Sequence, residues 1–108
     1  MDRAAMPHFF LKLIAPRPTF AMDMNVEEKA LMAEHAAYWK GRLDGGEVVV
    51  FGPVMDPKGP YGMGVIAVAD EAAARSFIAG DPAIKSNRGF TCEVHPMRAV
   101  MRETTTAP

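Results

Sequence analysis

An α+β, ferredoxin-like fold is what this sequence predicts: a four-stranded antiparallel sheet with two helices on one face, ordered βαββαβ. Three observations predict it. A well-capped helix follows a short apolar strand, a Pro- and Gly-rich turn joins two β-rich segments into a hairpin, and a second capped helix precedes a last strand. Right-handed crossovers place both helices on the same side of the sheet. The 108 residues suffice for one such domain and not for two.

The elements follow in order. Residues 1–7 read as a flexible leader, 8–102 as the single domain and 103–108 as a flexible tail. His8 to Ile14 forms the first strand, and Pro16 and Pro18 end it. Arg17 to Asn25 is a loop, long for a domain of this size and rich in methionine, the kind that often covers a binding site. Asn25 caps the first helix, with Glu27 and Glu28 in the first turn, where acidic groups suit the positive end of the dipole. Met32, Ala36, Trp39 and Leu43 make one continuous apolar stripe along it, and Gly45-Gly46 stops it.

Glu47 to Met55 is the second strand, carrying Val48-Val49-Val50-Phe51. Its Gly52-Pro53 pair argues for a sheet edge or a bulge. Asp56-Pro57-Lys58-Gly59-Pro60 turns the chain into the third strand, Tyr61 to Ala69. Asp70 caps the second helix, which runs to about Ala79; Gly80 ends it and Pro82 blocks its continuation. Arg88 to Val100 is the last strand, bent at Pro96.

Composition narrows the function. Hydrophobic residues make up 49% of the chain, which fits a packed core. The formal net charge is -1 and the basic residues form no run, so the sequence predicts no nucleic-acid partner and no membrane association. Cys92 is the single cysteine, which excludes an intrachain disulfide and a thiolate cluster and fits a reducing cytoplasm. His8, His35 and His95 fall on separate elements without ligand spacing, so no metal site is expected. Gly62-Met63-Gly64 lies inside a strand and is no phosphate loop, Ser76 and Ser86 lack a nucleophile elbow, and nothing calls for a cofactor. The sheet face without helices carries apolar residues, so a homodimer through facing sheets is expected.

The residues with the most chemical meaning are His35, flanking the stripe of the first helix, and Asp81, in a Gly-Asp-Pro turn far along the chain. An imidazole oriented by a carboxylate is a general base that needs no cofactor. Taken alone, Asp81 is ordinary turn chemistry, since an Asp before Pro bonds nearby backbone amides. Proximity to His35 is what would give it a further role.

Five more positions are candidates for substrate contact. Trp39 can wall a pocket or fill the core; Tyr38 can reach the site as a donor or face solvent. Gly52 and Pro53 shape the sheet edge or let backbone amides approach a ligand. Arg88 can pair with a substrate carboxylate or stand as a solvated charge.

The segment Glu34-His35-Ala36-Ala37-Tyr38-Trp39, then Gly45-Gly46, Gly52-Pro53 and Gly80-Asp81-Pro82-Ala83, resembles the YCII-related proteins, small bacterial members of the dimeric α+β barrel superfamily. The similarity runs from His8 to about Val100. It implies a homodimer and a His-Asp dyad, which falls here on His35 and Asp81. The function expected is cofactor-free general acid–base chemistry, such as isomerisation, elimination or decarboxylation, on a small organic substrate. Two other readings stand beside it: a non-catalytic small-molecule-binding or accessory dimer, and a cofactor-free oxygenase with Trp39 beside the substrate.

Overall fold

The computed structural model describes residues 5–103. The leader's residues 1–4 and the tail's residues 104–108 lie outside them. Strands β1 (His8–Ile14), β2 (Val48–Val54), β3 (Tyr61–Ala67) and β4 (Thr91–Met97) form one antiparallel sheet in the order β2-β3-β1-β4. Helix α2 (Val26–Asp44) follows β1, and α3 (Glu71–Ala79) follows β3. The helices pack on one face, and the fold is α+β and ferredoxin-like.

Proline placement explains the strand order. β2 and β4, which carry Pro53 and Pro96, are the two edge strands, where a missing N–H breaks no ladder on the outer side. β2 is also irregular, its register to β3 shifting between Val48 and Val50. Of the two expectations for Gly52-Pro53 the edge position holds; the bulge lies elsewhere in β2, since Gly52 and Pro53 pair in regular register with Met63 and Gly62.

The core forms where alternate strand positions meet the helices. Phe9 and Leu11 of β1 pair with Ile66 and Gly64 of β3, and this side packs on Trp39 of α2 and on Ala74 and Phe77 of α3. Trp39 lies so close to the sheet that a Cβ at Gly64 would sit 2.5 Å from its Cη2. Glycine is required there by the indole, not by backbone conformation. Phe10, Lys12 and Ile14 take the other face, with Met63 and Val65 of β3 and Glu93 and His95 of β4.

Helix ends follow the sequence closely. Asn25 Oδ1 accepts from Glu28 N at 2.8 Å while Glu28 Oε1 accepts from Asn25 N at 2.9 Å, a complete capping box. Asp70 caps α3 by accepting from Ala73 N at 2.8 Å.

Four details differ from the sequence reading. The loop over Arg17 to Asn25 contains a helical turn, α1 (Phe20–Asp23). Pro82 does block α3, but it also opens a new turn, α4 (Pro82–Lys85), for which its fixed φ suits the first position and Asp81 is the cap. The last strand is shorter, since Arg88 to Phe90 turn through Asn87 and Gly89, both at positive φ. The apolar stripe of α2 is not continuous: Ala36 is exposed, and the two buried residues of the helix are Glu28 and Trp39. Arg17 explains the buried Glu28, as described below.

Candidate functional site

His35 and Asp81 meet although 46 positions separate them. His35 Nδ1 lies 2.9 Å from Asp81 Oδ1 and 2.8 Å from Oδ2, so the ring nitrogen addresses the whole carboxylate. The local sequence makes this contact possible in three steps. Gly80 ends α3 with a close approach to α2, because a Cβ there would sit 2.7 Å from the Tyr38 hydroxyl. That hydroxyl donates to Phe77 O at 2.7 Å and ties the end of α3 to the middle of α2. Asp81 then leaves the helix as the cap of α4, accepting from Ala83 N at 2.9 Å.

A third side chain joins the pair. Trp39 stands one helical turn after His35, on the same face, and its Nε1 donates to Asp81 Oδ2 at 2.8 Å. Asp81 is only 2% exposed, and its carboxylate faces three nitrogens: an indole N–H, a backbone N–H and the imidazole Nδ1. Donors of this number and geometry offset much of the hydration a carboxylate loses on burial. With Nδ1 taken up by Asp81, Nε2 is the nitrogen of His35 left for chemistry.

His35 also lines a cleft of about 290 Å³, at the low end of the size of small-molecule sites. From α2 come Met32, His35, Ala36 and Trp39; from the sheet, Leu13, Phe51 and Met63, together with Gly52 and Pro53 at the β2 edge. A side chain at Gly52 would meet nothing within 4 Å, so the glycine leaves that part of the cleft open. The loop after β1 supplies Phe20, Ala21 and Met24 as a cover, and Phe90 adds a ring from beyond α4.

Arg17 fastens that cover. Its guanidinium donates to Glu28 through both Nη1 and Nη2 at 2.8 Å, to Asp23 Oδ1 through Nε at 2.8 Å, and to Asp23 O at 3.1 Å. The same guanidinium lies 5.2 Å from the Phe20 ring, which in turn meets Phe90 edge to face at 5.2 Å. One arginine thus ties the loop to the first turn of α2 and stabilises the burial of Glu28.

Of the sequence candidates, Trp39, Gly52 and Pro53 line the cleft with His35. Tyr38 does not; its hydroxyl is committed to Phe77 and its role is to set the distance between helices. Arg88 is also elsewhere, paired with Glu27 at 3.1 Å on the exposed side of α2. Cys92 is half-buried, and burial, with the Asp81 charge adding to it, pushes its thiol up to about 12, which leaves it protonated and unreactive at neutral pH. Among the described residues no three His, Cys, Asp or Glu side chains gather to hold a metal ion, and no helix is long and apolar enough to cross a membrane. The sequence pointed to the Arg17 to Asn25 loop, which supplies Phe20 and Met24, as a cover; it missed the Trp39–Asp81 bond and Phe90. The four-residue step from His35 to Trp39 was a usable signal for the first; for Phe90 there was none.

The model of the YCII-related domain family matches residues 8–98, which is most of the chain. The chain belongs to that family. A comparison with curated proteins finds none that matches.

The clamp has a pH signature. Hydrogen bonds from Arg17, and then the Asn25 backbone bond, lower Glu28 from its ordinary 4.5 to about 2. A depressed folded-state value adds stability above the unfolded one and loses it as the pH falls from 4.5 toward 2. Glu28→Gln removes that titration. The urea midpoint of the wild type should therefore fall more than that of Glu28→Gln across this window; parallel curves would show that the clamp adds nothing.

Proposed function

We propose that this protein is a cofactor-free acid–base catalyst in which His35 moves a proton on a small organic substrate and Asp81 orients it. The observation that carries the reading is the approach of Nδ1 to both Asp81 oxygens while the same ring lines an apolar cleft. In the neutral ring, Nδ1–H donates to the carboxylate and Nε2 offers its lone pair to the cleft. Nε2 takes a proton from an acidic C–H or O–H of the substrate. The imidazolium so formed is stabilised by the adjacent carboxylate, and it can return the proton to another atom or to a leaving group. Isomerisation and elimination both fit this cycle.

The catalyst acts as a homodimer in this proposal, with the open sheet faces against each other. Phe10, Met63 and Val65 lie on that face with no helix of their own chain over them. Sedimentation should give the dimer mass at micromolar concentration; a single species at the monomer mass would contradict this part.

The apolar character of the cleft favours one other reading, a dimer that holds a metabolite without reacting with it. Deuterium exchange separates the two. A panel of small cyclic ketones and phenols in heavy water, with catalytic amounts of protein, should show exchange at acidic C–H positions. His35→Asn should slow it by about 10²- to 10⁴-fold, and Asp81→Asn in the same direction, with circular dichroism unchanged. Exchange equal in wild type and His35→Asn defeats the catalytic reading, and tight binding without exchange supports the alternative.

A further inference from the structure

We propose that the cleft takes an uncharged, flat, apolar molecule that presents one weakly acidic O–H or C–H to His35, and that it rejects carboxylates and phosphate esters. This rests on the reading of His35 as the base and extends it to the charge and polarity of the substrate.

Three observations lead there. First, the lining holds aromatic rings from Phe20, Phe51 and Phe90 and thioethers from Met24 and Met32, but no lysine or arginine. Flat rings meet rings and polarizable sulfur favourably, whereas an anion entering such a site sheds its hydration with no cation to replace it. Second, nearby cations are engaged outside the lining. Arg17 is held by Glu28 and Asp23, and Lys12 Nζ stands 4.4 Å from the centroid of the Tyr61 ring. Third, the imidazole that lines the cleft has the wrong sense for an anion. Trp39 spends its N–H on Asp81, and His35 spends Nδ1 there, so in the neutral ring Nε2 meets the ligand as an acceptor. A carboxylate at Nε2 would bring acceptor against acceptor, with the Asp81 charge directly behind the ring. A phenol, an enol or an activated C–H brings the donor that Nε2 lacks.

The experiment uses a property of the chain. Trp39 is the only tryptophan and lines the cleft, so intrinsic fluorescence reports binding at the site. Three probes of matched ring size suffice: p-cresol, 4-methylbenzoate and 4-methylphenyl phosphate, titrated at neutral pH with excitation at the red edge of tryptophan absorption and repeated by calorimetry. The expected result is that p-cresol binds at least about tenfold more tightly than either anion. Equal or tighter binding of an anion, or no binding of p-cresol up to its solubility, overturns the proposal. Titration of His35→Asn keeps this outcome apart from the catalytic one. If the wild type prefers the neutral ring but proton exchange ignores His35, the ligand class stands and the base falls. If exchange depends on His35 but the anions bind better, the base stands and the ligand class falls.

Discussion

The buried carboxylate of Asp81 is the constraint on which the rest of the site depends. A carboxylate at 2% exposure persists only where donors replace water, and here they come from three directions: the indole of Trp39, the backbone of Ala83 and the ring of His35. Two of these belong to α2 and one to α4, so the hydrogen bonds that satisfy Asp81 also fix the turn after α3 against the middle of α2. Hydrogen bonds to charged groups contribute roughly 1.5–3 kcal/mol each, which makes this cluster a structural joint as well as a chemical one. The same arrangement decides which nitrogen of His35 remains free. The packing of the turn and the orientation of the imidazole are set by one group.

Trp39 links this joint to the core. Its indole N–H reaches Asp81, its rings pack against Phe77 and Phe51 with centroids 4.7 and 5.7 Å away, and its far edge occupies the space above Gly64. The side chain therefore fills the core and walls the cleft at once; the choice the sequence left between those roles was not a real one. Tyr38, its neighbour in sequence, packs on Phe77 as well, with ring centroids 5.3 Å apart, and closes the α2–α3 contact at Gly80. A helix with residues 35, 38 and 39 so engaged needs no continuous apolar stripe, which accounts for the exposed Ala36 inside the cleft.

Much of the fold was legible because local chemistry and tertiary need agree. Asn25 and Asp70 announce helix starts, Pro53 and Pro96 mark edge strands, and the Asp56–Pro60 turn fixes the hairpin. The site was legible to the level of the His35–Asp81 pair through family resemblance, since a separation of 46 positions leaves no local trace. What escaped depends on distant partners. Arg17 reads as a loop charge until Glu28 and Asp23 are seen around it, and Glu28 reads as an exposed first-turn acid until Arg17 covers it. Arg88 was drawn toward the site by its charge, but Glu27 holds it on the other side of α2. Pro82 was recognised as a stop; that it also begins a turn, with Asp81 as the cap, is what aims the carboxylate at α2.

The tautomer of neutral His35 tests the central claim most directly, because it asks which nitrogen Asp81 has taken. Long-range proton–nitrogen correlations on labelled protein, recorded at a pH where the ring is neutral, distinguish a protonated from a bare ring nitrogen. The account predicts a protonated Nδ1 and a bare Nε2 in the wild type, with that preference lost in Asp81→Ala. A neutral His35 carrying its proton on Nε2 in the wild type would contradict it, since the lone pair would then face the carboxylate and no base would face the cleft.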